Sequence, residues 1–196
     1  MPRPKQRTPE LRDQLLKVAV ATLNEEGLSG LTTRGVAERA GTSVPAVYEL
    51  FQDKRGLLRA VFFEGFAMLG HRLLAAPQTD DPVADVQRLI PVFRRFCLDY
   101  PALARVMFSR PFQDFDPGPE ELAAAPSMRE IFVGRIKRCT DAGLLTGDPV
   151  DIAHVLLALA QGLAVQEGGR WLGKSKASVN RRWDVGVTGI LRGFAP

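Results

Sequence analysis

Apolar side chains recur along most of this chain at the three- and four-residue spacing of a helix face. Nowhere do they hold the two-residue alternation of a half-buried strand. Leu11, Leu15, Val18, Ala19, Thr22 and Leu23 fall on one helical face, and Gly27 is well placed to end that helix. A short helix is predicted from Thr33 to Ala40, with Val36, Ala37 and Ala40 facing inward. A second runs from Val44 to Phe51, with Val47, Leu50 and Phe51 available for burial, and Gly41, Thr42 and Ser43 form the tight turn between the two. Asp53 reads as the N-cap of a longer helix through Leu57, Leu58, Val61, Phe62 and Phe66. Beyond a loop from Pro77 to Pro82, helices are expected over 83–100 with a kink at Pro91, and over 102–110, 127–142, 149–167 and 178–194. Residues 111–126, with Pro111, Pro117, Gly118, Pro119 and Pro126, predict an irregular segment. The pattern is all-α, about nine helices, without an internal repeat.

A length of 196 residues allows one domain, or a small one fused to a larger. The hydrophobic fraction of 45% and charged fraction of 24% are those of a globular protein and exclude disorder as the main state. Two cysteines, Cys97 and Cys139, make no disulfide framework. With two histidines they are poor material for zinc, so neither a metal nor a cofactor is expected. The longest uncharged apolar stretch, Ile152 to Gln166, is shorter than the roughly 20 residues a membrane helix needs. No apolar signal segment follows the early basic residues, and the expectation is a soluble, cytoplasmic protein without a membrane partner. Charge changes the picture once it is located. Residues 1–60 hold ten basic and seven acidic side chains, the other 136 sixteen and fifteen. The excess is densest at Arg3, Lys5 and Arg7, a basic arm that suits a phosphate-bearing partner and equally a solvated tail.

The informative unit runs from Thr32 to Leu57. Two short helices joined by a three-residue turn containing glycine form the helix-turn-helix arrangement, whose second helix enters the DNA major groove N-terminus first. Gly41 suits the left-handed backbone with which the first helix must end. Ser43 can cap the second helix, and because Pro45 has no N–H to offer, the cap must act through the N–H of Ala46.

Taken together, Thr32, Val36, Ala37, Ala40, Gly41, Ser43, Val47, Tyr48, Phe51, Lys54 and Leu57 stand at spacings that resemble the TetR family of bacterial transcriptional regulators, over about residues 11–66. The resemblance implies an all-α homodimer with an N-terminal three-helix DNA-binding domain, here residues 1–55 with the basic arm, and a C-terminal ligand-binding and dimerisation domain, here residues 56–196. It implies double-stranded operator DNA and an unknown small-molecule effector as partners, with repressor as the family's usual sign. Carried over position by position, phosphate contacts fall on Thr32 or Thr33, on Tyr48 and on Lys54, and base reading falls on Arg34 and on Thr42, Ser43, Val44, Pro45 and Ala46. Leu50 stands where the family often has a histidine or tyrosine, and Gly35 where an acidic residue would complete a capping box with Thr32. Val44, Pro45 and Ala46 bring no donor pair for guanine or adenine, so base reading leans on thymine methyls, on Arg34 or Thr42, and on the arm.

The second part has material for an apolar ligand site. Phe93, Phe96, Tyr100, Met107, Phe108 and Phe112 crowd twenty residues, Phe132 and Ile136 are placed to face them, and His154, Gln161, Gln166 or Cys97 can orient a ligand. The same aromatics also read as ordinary core. The predicted helix from Ile152 to Val165 is apolar around much of its circumference and must be buried on nearly all sides. Ile152, Leu156, Leu159, Ala160 and Leu163, with Trp183, Val187 and Ile190 of the last helix, are expected to pack against a two-fold mate. An enzyme is disfavoured, since His71 and His154 stand 83 residues apart and no metal-spaced cluster or glycine-rich phosphate loop is present. The alternative that stays open is a DNA-binding or partner-binding protein of the same fold without a ligand.

Overall fold

The computed structural model describes residues 8–109 and 128–196. The basic arm, Phe112 and the segment expected to be irregular lie outside them. Nine α-helices and no strand occur among the described residues: α1 (Pro9–Gly30), α2 (Thr33–Arg39), α3 (Val44–Phe51), α4 (Lys54–Leu74), α5 (Pro82–Asp99), α6 (Pro101–Phe108), α7 (Met128–Asp141), α8 (Pro149–Gly168) and α9 (Lys176–Gly193).

Local chemistry sets most of the helix ends. The Thr8 hydroxyl accepts from the Leu11 N–H at 3.3 Å and starts α1. Gly27 interrupts α1 with a left-handed φ of 72°, and one further turn runs on to Gly30. The Asp148 carboxylate accepts from the N–H groups of Val150 and Asp151 at the head of α8. Helix α9 starts two residues earlier than the apolar spacing predicts, because Ser175 and Ser178 cap each other's backbone N–H groups reciprocally.

The described residues form two compact units, one from residues 8–66 with 100–109 and one from residues 67–99 with 128–196. The boundary between these units falls inside α4, and α6 belongs to the unit that holds α1 to α3. The first unit buries Leu15, Leu23, Leu31, Val36, Val47 and Leu57 completely. Each such side chain contributes about 1.5–3 kcal/mol relative to exposure. Helix α6 packs on α1 in this unit, and Gly65 of α4 lets the Met107 sulfur of α6 approach where a Cβ would stand.

In the second unit α7 packs on α5 and α8, and α8 also packs on α5 and α9. Phe93, Phe96, Phe132 and Ile136 are fully buried there. Two polar ties cross its helices. Asp85, fully buried at the start of α5, accepts from the Thr79 backbone N–H, the Thr79 hydroxyl, Arg88 and Arg138. The buried Arg135 guanidinium lies 3.7 Å from the same carboxylate and donates to the carbonyls of Ala76 and Pro77. In the other tie Arg94 grips Glu167 with two nitrogens at 2.7 and 2.8 Å, and the Trp183 indole N–H donates to that carboxylate at 2.8 Å. Helix α8 corrects one sequence expectation. At 20 residues it is long and apolar enough to cross a membrane by length and composition, since the helix extends beyond the uncharged stretch on both sides. It instead buries Ile152, Ala153, Leu156, Leu157 and Ala160 against its neighbours in the unit.

Candidate nucleic-acid interface

Thr32 leaves the extended region just before α2, and its hydroxyl oxygen accepts from the Gly35 N–H at 3.0 Å. Its own O–H remains available to donate outward from an exposed position. With glycine at residue 35 no acidic side chain crowds that helix start. Thr33 is half-buried and Arg34 exposed. The Gln14 amide holds α1 to the end of α2 by donating to the Ala40 carbonyl at 3.1 Å. The Arg39 guanidinium binds Glu25 and Glu26 of α1 and so does not face outward alone.

Gly41 then turns the chain at φ 66°. The Ser43 hydroxyl accepts from the Ala46 N–H at 3.4 Å, the pairing that the proline at residue 45 leaves available. Val47 and Phe51 are buried against the first unit, which turns the opposite side of α3 outward. Pro45, Tyr48, Glu49 and Gln52 are exposed on that side, with Tyr48 at 47%. Val44, Ala46 and Leu50 are half-buried. Glu49 was not among the residues singled out by sequence; its place four residues after Pro45 is the signal that puts it on the outward face.

The junction to α4 is tightly built. Gln52 has φ 67° and ψ −56°, and the Asp53 N–H reaches back to the Phe51 carbonyl at 2.8 Å, a strained three-residue turn. The Asp53 carboxylate caps α4 by accepting from the Gly56 N–H at 2.7 Å. A Cβ on Gly56 would overlap the Phe51 carbonyl oxygen, so only glycine lets the end of α3 seat on the first turn of α4. Lys54, the first residue of α4, is exposed beside this junction. The Arg12 guanidinium covers the Phe51 ring at 5.6 Å.

The remaining sequence candidates fall into separate places. Tyr100, Met107 and Phe108 belong to the first unit, whereas Phe93, Phe96, Phe132, Ile136 and the half-buried Gln161 belong to the second. Of the residues assigned to a partner face, Ile152, Leu156, Ala160, Trp183 and Val187 are buried within the chain itself. Leu159 and Leu163 are half-buried and lie where a Cβ on Gly186 of α9 would touch them, and Ile190 is half-buried. The large apolar side chains exposed on these helices are others: Val150 at 40%, Val155 at 42%, Val165 at 72% and Val185 at 66%, with Ala158 and Gly162 exposed between Val155 and Val165. Burial, then the nearby Glu167 carboxylate, pushes the Cys97 thiol up to about 12, and burial raises Cys139 as well, so both stay protonated at neutral pH. No group of three or more His, Cys, Asp or Glu among the described residues is placed to hold a metal ion.

Two short helices meeting at a left-handed glycine, the second with a hydroxyl-capped N-terminus and an outward polar face, define a helix-turn-helix domain of the kind found in DNA-binding regulators. Comparison with known proteins names the family. Residues 15–61 match the bacterial regulatory proteins of the tetR family, and residues 86–190 match the tetracyclin repressor-like C-terminal domain. The second match alone spans more than half of the chain, and the chain belongs to the TetR family. The class C tetracycline repressor protein of Escherichia coli is 33% identical over 150 residues, covering 76% of this chain and 61% of that repressor. The match thus takes in less than two thirds of that relative's length. A protein of unknown function from Rhodococcus sp. RHA1 superposes with a TM-score of 0.83 at 25% identity, over 99% of this chain and 100% of that one. A TetR variant from Acinetobacter baumannii AYE, solved in complex with minocycline, superposes with a TM-score of 0.66 at 22% identity, over 91% and 93% of the two chains. At that identity the likeness speaks to the fold alone.

Proposed function

We propose that this protein is a cytoplasmic, ligand-responsive transcriptional regulator and not an enzyme. In this reading it binds a palindromic operator as a homodimer, represses, and is released by a small, largely apolar effector. The observation that carries the reading is the outward side of the helix-turn-helix. There an exposed tyrosine hydroxyl and an exposed lysine accompany two helix N-termini capped by Thr32 and Ser43. Hydroxyls, helix N-termini and lysine suit phosphate oxygens, which fix the register of the second helix in the groove. Arg34 and Thr42 to Ala46 then lie at the front that reaches base edges, and Arg3, Lys5 and Arg7 add phosphate affinity. Residues 1–55 engage DNA in this reading, and residues 56–196 sense and pair.

A homodimer sets two reading helices one duplex turn apart, the spacing a palindrome requires. An effector that binds better to another arrangement disfavours that spacing, and DNA weakens the effector by the same factor. One observation keeps the ligand-free reading in view: Phe93, Phe96, Phe132 and Ile136 are fully buried, as a filled core requires and an enclosed effector site permits. The DNA reading is tested by Tyr48→Phe and Lys54→Ala on a recovered operator. Each is expected to lower affinity about tenfold, equally across operator sequences. Lys54→Ala should also reduce the salt slope by about 1 per protomer. Unchanged affinity in both variants contradicts the assigned phosphate contacts.

A further inference from the structure

The turn from α8 to α9 carries charge of one sign. From Gly168 to Trp183 the chain holds five basic residues and no acidic one. Arg170, Lys174, Lys176, Arg181 and Arg182 are all exposed. Glu167, the last carboxylate before this stretch, is already gripped by Arg94 and bonded by the Trp183 indole. Local bonds gather the cations. The N–H groups of Trp171 and Leu172 both donate to the Gln166 carbonyl, at 2.8 and 3.1 Å, which folds the turn back on the end of α8. From the α9 side the Arg182 guanidinium lies against Gly173, in the space a Cβ would need. Arg170 has a left-handed φ of 60°, although two glycines stand just before it. A bulky side chain held in that region is an outlier of the kind that collects at binding sites. The turn presents Trp171 to water at 82% exposure, whereas Leu172 beside it is buried and Trp183 is 3% exposed. At that exposure the Trp171 indole adds little to the core, and most of its ring surface is open.

We propose that this turn binds a single-stranded nucleic acid, with a base stacked on Trp171 and the cations around it holding the phosphates on either side. The site is built from the second unit and shares no residue with the helix-turn-helix. Duplex DNA keeps its bases stacked inside the helix and offers the indole no face; an unpaired strand does. Stacking on an aromatic ring and phosphate contacts to Lys and Arg are the two attractions that single-strand binding combines, and neither needs a particular sequence. The turn supplies both. An anionic bilayer would attract the same cations, but its grip grows with the apolar area inserted. Of the described residues from Gly168 to Arg182, Trp171 is the one large apolar side chain left exposed, with Arg170 directly before it. One ring bordered by charge suits a base better than an acyl layer.

The two tryptophans make the test direct. Trp183 is buried and bonded to Glu167, so a ligand arriving at the surface alters the emission of Trp171. The full chain is titrated with an oligothymidine of about 12 nucleotides and, separately, with phosphatidylcholine vesicles containing phosphatidylglycerol. Oligothymidine affinity is also measured by fluorescence anisotropy for wild type, Trp171→Ala, Trp171→Phe, and Arg181→Glu with Arg182→Glu. All of these positions are exposed, and thermal melts matching wild type show that the variants fold. The oligonucleotide is expected to quench Trp171. Trp171→Ala should bind about tenfold more weakly, Trp171→Phe, which keeps a ring, within about threefold of wild type, and the double charge reversal at least tenfold more weakly. Oligonucleotide binding without quenching, or with Trp171→Ala unaffected, would place the strand elsewhere on the chain and overturn the proposal. So would a blue shift of Trp171 on the vesicles with no response to the oligonucleotide, which would make the turn a lipid-docking surface. Operator binding through α3 does not enter this readout, so either result leaves the operator reading standing.

Discussion

Gly41 and Gly56 carry the helix-turn-helix for different physical reasons. Gly41 has φ 66° and open space where a Cβ would stand, so its requirement is purely conformational. Gly41→Ala is expected to lower the unfolding free energy by about 1–2 kcal/mol, measured by urea denaturation, with little change in packing. Gly56→Ala forces the Phe51 carbonyl away from α4 and is expected to cost more, and to weaken operator binding beyond the loss of stability. Equal, small losses for both would contradict this account of the junction. Gly41 was legible in the sequence, because a glycine between two short periodic runs is a turn signal. Gly56 was not: in the sequence it is a residue in the first turn of a helix, and the carbonyl lying against it arrives only when α3 folds back. Tyr48 and Glu49 sit between these cases. The spacing of Val47 and Phe51 fixes which side is buried, hence which side they share, while the phosphate contact proposed for Tyr48 comes from the family's pattern, which assigns nothing to Glu49.

Among the elements, α5 and α7 show what periodicity leaves out. Asp85 reads in the sequence as an ordinary acidic residue in the first turn of a helix. It is fully buried because Arg135 and Arg138, three residues apart on α7, converge on it and on the turn before α5. Burial alone would raise its carboxyl. The Thr79 backbone N–H, the Arg138 guanidinium and the Thr79 hydroxyl outweigh that and hold it well below the usual carboxylate range. Glu167 is likewise held low, because the hydrogen bonds from Arg94 and Trp183 outweigh its burial. A carboxyl lowered by folding binds fewer protons in the native state than in the unfolded one, so stability rises with pH through the range where the unfolded group ionises. The contribution is complete above about pH 5 and is lost as pH falls below the ordinary aspartate value of roughly 4. Asp85→Asn is expected to lower the melting temperature at pH 7 by about 10 °C and to flatten the acid side of the stability profile. Thermal melts from pH 7 down to pH 3 read both effects, and an acid limb as steep as wild type would contradict the assignment. The helix ends were more legible than this tie, since caps such as Thr8, Asp53 and Asp148 act on neighbours in sequence.

For the whole molecule, the all-α architecture and the helix-turn-helix were readable from apolar spacing and turn chemistry, and the family matches cover residues 15–61 and 86–190. What periodicity did not distinguish is burial within one chain from burial between two. Ile152, Leu156, Ala160, Trp183 and Val187 satisfy the same pattern as a partner face, yet the chain's own helices cover them. The large apolar side chains that α8 and α9 leave exposed are instead Val150, Val155, Val165 and Val185, set among small and charged side chains that sequence hydrophobicity ranks lower. In the proposed function a homodimer reads one palindrome through two copies of α3. The most direct test is selection of genomic fragments by the purified protein, followed by binding to the recovered site across salt concentrations. The expected result is a palindromic site bound by two chains, with affinity falling steeply as salt rises and exceeding that for unrelated DNA by roughly a thousandfold or more. Recovery of no common site, with binding that is salt-sensitive but blind to sequence, would contradict it.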